Sequence, residues 1–469
     1  MATDLFANNA QTTLAAGIAA GAVSLTVASS TPFPAVTTAA TTQFRIIIDA
    51  ELFIVTNVTG LTWTVTPGAE GTTQAAHANG ATVTALLTAG ALAKVSTGLD
   101  SATFSTHGVT PLNTRYTRAA LAAARLGLRD VRLIVQGDSM CNGLGLTTPA
   151  ADNFIRRAAQ SLATRLGLTA RRGLVSVRYY GVTDPQWVVG SGWSAANITV
   201  PGSPGSSGLN TCDAFTAAVG NTPSLDFTPV DDAGSSVQTD SFIIYAYAGG
   251  TSGPFQYAID GGGYTAVTNT NVNGQGYNAY TVSAGALGAH VLHVKSAATG
   301  NAAYILGAEA VNSTARGVRW FGLGANGVNT PTGGLNAADL TFHKSYAPDL
   351  VIFQYGTNDY LNQVALSTFQ ANVLACAANP ATYPKVADVM WTTSTPQQQS
   401  LTIPNQTYIN AIDAASDAGG FGVFHLDRVI GSYAVGNVAP LSLYYDGIHP
   451  NATGHSLWGD SLAAMLAAG

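Results

Sequence analysis

The chain has 469 residues, 9% of them charged and 46% hydrophobic, with a formal net charge of −6. An ordinary globular chain carries about 25% charged residues, so this one is too apolar and too weakly charged for charge-driven disorder. An acidic balance with no basic run argues against nucleic acid as a partner, and no apolar stretch reaches the roughly 18 residues that would suggest a membrane span.

At about 100–200 residues per domain, the length predicts several domains. Residues 1–95 read as a small N-terminal β domain. Ser24–Val27, Phe44–Ile48, Leu52–Val55 and Leu61–Val65 are short, β-branched runs separated by Pro, Gly and Asn turn signals. Residues 96–130 read as a linker containing an Arg/Ala helix at Thr117–Leu126. From Val131 the rhythm changes to alternating strand and helix. Val131–Val135 is an apolar run, and Phe154, Ala158, Leu162 and Leu166 recur four apart along a helix with Asp152 as candidate N-cap and Gly167 as stop.

Residues 171–316 break that rhythm. Phe242–Tyr247, Phe255–Ile259 and His290–Val294 are strand-like, with a turn signal at Asp260–Gly263, which predicts an all-β module inserted into the α/β domain. The alternation then resumes over 317–469. Strands are expected at Val318–Phe321, Leu350–Phe353, Ala387–Trp391 and Gly422–Leu426, and helices at Leu366–Ala377, Ile403–Ala418 and Gly454–Ala467. Together with 131–170 this predicts a parallel five-stranded sheet covered on both faces.

Three short motifs follow predicted strands or open a predicted helix. Gly137-Asp138-Ser139-Met140 places a hydroxyl at the carboxyl edge of the sheet, where open α/β folds locate their sites, although Gly-Asp-Ser is also an ordinary turn. Gly356-Thr357-Asn358-Asp359 offers a side-chain N–H donor, or merely an Asx turn. Asp446-Gly447-Ile448-His449-Pro450 sets a carboxylate three residues before an imidazole, the spacing that lets an acid orient a base. A metal reading of the last is poor, because no His-Glu-x-x-His or clustered His/Cys set accompanies it. Cys141, Cys212 and Cys376 make neither a disulfide framework nor a Cys-x-x-Cys pair, and Cys376 falls on the apolar side of its helix.

In this order, the three motifs resemble those of the GDSL/SGNH hydrolase family over about 131–170 and 317–469. No Gly-x-Ser-x-Gly elbow of the α/β-hydrolase type is present. The resemblance implies a three-layer, flavodoxin-like SGNH fold. It also implies Ser139 as nucleophile, His449 as general base and acid, and Asp446 as its orienting partner. The oxyanion hole would be the Ser139 N–H, a glycine N–H and the Asn358 side chain. Gly327, in Gly324-Ala325-Asn326-Gly327 after the Val318–Phe321 strand, is the glycine chosen, with Gly190 or Gly192 as the alternative. Met140 replaces the usual Leu with little change in volume. No metal or organic cofactor is implied. The inserted module looks like the jelly-roll insertions of some carbohydrate-active members.

The stretch Pro67-Gly68-Ala69-Glu70-Gly71-Thr72-Thr73-Gln74-Ala75-Ala76-His77, followed by Gly80-Ala81-Thr82-Val83, resembles a small β module near the N-terminus of phage tail proteins. The opening residues Met1–Asn9 have neither the basic nor the apolar segment of a secretory signal, which agrees with a virion component released by lysis. The expectation is therefore a phage tail protein whose esterase removes acyl groups, above all O-acetyl, from a host surface or cell-wall glycan. Its partners would be that glycan and other tail or baseplate proteins. A homotrimer would suit a tail fibre, although no coiled-coil heptad marks one. Two other readings stay open: a non-catalytic tail adhesin, and a secreted bacterial lipase. His77, His107, His290, His293, His343 and His425 share no spacing with the triad residues, and His455 is expected to cap or pack. Trp187, Trp193 and Trp320 are candidates for a sugar-binding surface or for the core.

Overall fold

Val-Arg-Leu-Ile-Val-Gln-Gly at 131–137 becomes a strand because its apolar side chains find cover on both faces of a sheet. In the computed structural model, Val131, Leu133 and Val135 enter one hydrophobic cluster while Ile134 enters another on the opposite face. The strand Leu350–Gln354 behaves in the same way, with Leu350 and Ile352 on the first side and Val351 and Phe353 on the second. The residues described are 3–5, 7, 9–37, 42–86, 88, 113–179, 182–196, 214–220, 223–231, 234–248, 252–270 and 277–468.

The sheet contains β1 (Val131–Gly137), β2 (Thr169–Arg172), β3 (Gly317–Gly324), β4 (Leu350–Gln354), β5 (Asp388–Thr392) and β6 (Gly422–Phe424). Its order is β6-β5-β4-β1-β3-β2 and every pairing is parallel. It is thus six-stranded rather than five-stranded. The additional strand, Thr-Ala-Arg-Arg, is an edge strand that buries no residue fully, so it carries no apolar signature.

Three helices cover one face: α1 (Arg115–Arg125), α2 (Phe154–Leu166) and, at the chain's far end, α6 (Ala452–Ala468). The other face carries α3 (Ala337–Tyr346), α4 (Leu366–Ala378) and α5 (Asn405–Gly419). Asn153 rather than Asp152 caps α2, its side chain accepting from the Ile155 N–H, and Gly167 ends the helix. The helix expected within a linker is α1, and it belongs to the α/β core. Ala120 and Leu121 are buried there, and the Thr117 N–H and hydroxyl both donate to Asp388 Oδ2 at 2.7 Å. Residues 96–112 of the expected linker lie outside the described residues.

Between β2 and β3 the chain builds a two-sheet antiparallel sandwich. One sheet contains Gln238–Ala246, Asn278–Ala289 and Ala303–Val311, and the other contains Leu225–Phe227, Phe255–Ile259 and Leu292–Ser296. Phe227, Phe242, Phe255 and Ile305 are among its buried core residues. The sandwich is fastened to the α/β sheet. Tyr245 and Leu306 pack with Phe321 of β3 and with Phe342 and Tyr346 of α3, and Arg319 of β3 pairs with the buried Glu309.

The chain forms two compact units, Met1–Thr106 and His107–Gly469. The first is a seven-stranded β unit whose core includes Phe44, Phe53, Val55 and Trp63. All four runs expected as strands lie in strands of this unit, at Ser24–Thr26, Thr42–Ile48, Glu51–Thr59 and Thr62–Thr66. Among the described residues no helix is long and apolar enough to cross a membrane.

Candidate active site

The ends of β3, β1 and β4 are level, since Gly324 and Gln354 both pair with Gly137. The segments that follow these strands therefore leave the carboxyl edge side by side. They carry Gly327, Ser139 and Asn358, three residues that are remote in sequence.

Ser139 sits in the turn just beyond β1, and its Oγ lies 2.9 Å from His449 Nε2, a residue 310 positions later. His449 Nδ1 lies 2.8 Å from Asp446 Oδ2. Only a ring nitrogen carrying hydrogen can face the carboxylate favourably, so the partners assign the proton to Nδ1 and leave Nε2 to accept from Ser139. Asp446 is held firmly, because its Oδ1 also accepts the N–H groups of Ile448 at 2.7 Å and His449 at 2.6 Å. Partial burial opposes its ionisation, but these hydrogen bonds and the neighbouring imidazole outweigh it and hold the carboxyl below its ordinary range.

Three N–H groups on these neighbouring segments are candidate oxyanion donors. The Ser139 amide has no acceptor among the described residues, and neither has that of Gly327, an exposed residue at φ 75°. Asn358 Nδ2 donates one proton to Val328 O at 2.8 Å, which ties Asn358 to the residue after Gly327 and leaves the second amide proton free. Gly190 is elsewhere: its N–H donates to Ser224 O at 3.0 Å inside the inserted sandwich, and Gly192 lies in the same turn.

Beneath the nucleophile lies a group that motif matching alone passes over. Asp138 is wholly buried, with Oδ1 accepting the Met140 N–H at 3.0 Å and Gln354 and Thr357 beside it. Burial, the dominant influence, raises its carboxyl to about 7 despite those hydrogen bonds. The Asp138 N–H also donates to Gln354 O at 3.3 Å, so the Ser139 turn and the segment carrying Asn358 are laced together. The available signal was a polar Gln354 closing an otherwise apolar strand.

The remaining candidates are structural. His455 is buried and its Nδ1 accepts the Phe154 N–H at 3.1 Å; burial lowers its pKa to about 3. His343 is buried against Tyr383, His425 sits between Asp413 and Asp427, and His290 and His293 pair with Asp260 and Asp226. His77 lies in the N-terminal unit, and His107 and Cys212 lie outside the described residues. Trp187 and Trp193 are in the sandwich core and Trp320 is in the α/β core, so none of the three presents a sugar-binding face. Cys376 is buried in the core, as expected.

A solved peptidoglycan O-acetylesterase aligns with 76% of this chain and 96% of its own, with a TM-score of 0.55 at 16% identity. The two chains share a fold. An acetylxylan esterase from Geobacillus stearothermophilus matches 32% of this chain and 73% of its own (14% identity, TM-score 0.26). A carbohydrate acetylesterase from Sinorhizobium meliloti matches 32% and 79% (20% identity, TM-score 0.24). No protein-family model and no curated protein matches the sequence. The shared fold is α/β, and this chain also carries several antiparallel β sheets.

Proposed function

We propose that the chain is a serine esterase that removes O-acetyl groups from a glycan. The observation that carries this reading is the hydrogen-bonded line from Ser139 Oγ through His449 to Asp446, on a strand end flanked by the segments that carry Gly327 and Asn358. As Ser139 Oγ attacks the ester carbonyl, His449 Nε2 takes the hydroxyl proton and Asp446 stabilises the resulting imidazolium. The carbonyl oxygen becomes an oxyanion facing the Ser139, Gly327 and Asn358 donors, each worth about 3–4 kcal/mol in comparable sites. His449 returns the proton to the departing sugar oxygen. Water then attacks the acetyl-enzyme, with His449 as base, and releases acetate. Acetyl and glycan are chosen because the solved protein of like fold is named for removing O-acetyl groups from peptidoglycan.

We propose further that the N-terminal unit joins the chain to a phage tail through a module that includes its Pro67–His77 stretch. Support comes from how that stretch is held. The Gly68 and Ala75 N–H groups donate to the Glu51 carboxylate at 2.9 Å each, and His77 lies between Glu51 and Asp49. In this setting the partners are other tail or baseplate proteins, a homotrimer would suit the tail, and the enzyme works from the virion on the host surface.

The test is acetate release from O-acetylated peptidoglycan and from acetylxylan by the wild type, Ser139→Ala and His449→Ala. Both variants are expected to lose at least about 10³-fold. A folded wild type that binds glycan and releases no acetate would turn the reading towards an adhesin. Mass spectrometry of purified virions checks the tail assignment, which fails if the chain is absent from them.

A further inference from the structure

The loop that carries Asp446 and His449 is flanked by two side chains that the triad does not use. Tyr445, immediately before Asp446, is 65% exposed. It is nevertheless held in place. Its N–H donates to His449 O at 2.8 Å, and its ring lies on Gly145, six residues after Ser139. Gly145 has φ 93°, and a Cβ there would fall 2.9 Å from Tyr445 Cβ and 3.0 Å from Cγ. Any larger residue would push the ring off the nucleophile's loop.

Gln398, also exposed, packs on the same loop at Gly447. Its N–H donates to Gly447 O at 2.9 Å, and its side chain lies over Gly447, where a Cβ would come 2.5 Å from Oε1. The pair thus offers one fixed aromatic face and one carboxamide, anchored by backbone hydrogen bonds to the loop that bears the general base.

We infer that Tyr445 and Gln398 form the subsite for the sugar ring that carries the ester. One face of a pyranose is lined with C–H groups, which suit the negative face of an aromatic ring, and its rim carries hydroxyls that both donate and accept, as a carboxamide does. A simple alkyl ester engages neither group. This inference rests on the esterase reading above and adds to it the residues that select a cyclic, hydroxylated alcohol.

The experiment compares kcat/KM for acetylated xylo-oligosaccharides with kcat/KM for ethyl acetate, which has no ring. Tyr445→Ala is expected to lower the ratio about 3- to 10-fold through the KM of the oligosaccharide, with its kcat nearly unchanged. Tyr445→Leu keeps apolar bulk in the loop and is expected to lower the ratio as well, whereas Tyr445→Phe retains it. Gln398→Ala lowers it by the loss of a hydrogen bond. A ratio unmoved by Tyr445→Ala and Tyr445→Leu, in a wild type that hydrolyses both esters, overturns the subsite and leaves the esterase reading standing. A drop equal in Phe and Leu variants also overturns it, because the aromatic face would then be irrelevant. A wild type active on ethyl acetate alone overturns the subsite together with the glycan substrate.

Discussion

Replacing Asp138 with Asn tests whether the carboxyl beneath the nucleophile is held in its neutral form. Burial lifts this carboxyl from 3.8 to about 7 in the folded chain. Between those two values the folded state keeps a proton that the unfolded state has released. The contribution to stability is therefore fully present below about pH 4 and is lost as pH rises through 7. With one pKa unit equal to about 1.4 kcal/mol, the wild type gives up roughly 3 kcal/mol from this group between pH 5 and pH 8. Asn keeps the shape, can accept the Met140 N–H, and does not titrate. The assay is urea unfolding of wild type and Asp138→Asn across that range, following the transition of the His107–Gly469 unit. The variant is expected to gain on the wild type by about 3 kcal/mol as the pH is raised. A difference that stays constant with pH would refute the reasoning, because Asp138 would then be ionised in the native state throughout.

Two further outcomes are expected. Asn358→Ala should lower kcat about 10²- to 10³-fold, measured with ethyl acetate, since it removes an oxyanion donor; a loss under 3-fold would remove Asn358 from that role. Glu309→Gln leaves Arg319 buried without its charge partner and should destabilise the His107–Gly469 unit by about 3–5 kcal/mol in urea, whereas a change below about 1 kcal/mol would show that the pair contributes little.

What could be read from the sequence follows from where side chains are buried. β1 and β4 are covered on both faces, so their apolar runs were visible. The helix α2 was visible by its four-residue spacing. The edge strand β2 was not, because its Thr-Ala-Arg-Arg side chains remain partly exposed. The place of α1 depends on Thr117 meeting Asp388, a contact across 271 residues that no local pattern reveals. At the site, Ser139, Asp446 and His449 stood out through motif order, and the structure brings all three together. Asp138 carried no signal of its own, because a buried neutral carboxyl and an exposed turn aspartate are spelled alike; only its partner Gln354, polar at the end of an apolar strand, hinted at it. Tyr445 is similarly silent, since the seat of its ring depends on the missing side chain at Gly145.

The order of the chain has a consequence for synthesis. Ser139 is made early, but its base arrives 310 residues later, at the head of α6, and that helix docks through Trp458 stacked on Phe154 at 3.8 Å and His455 capping α2. A growing chain therefore holds an inert hydroxyl until its closing helix has been made and has folded back. An esterase assembled this way cannot act on acylated material inside the producing cell until this stretch has been translated, and any message broken before His449 yields a protein with a nucleophile and no base to activate it.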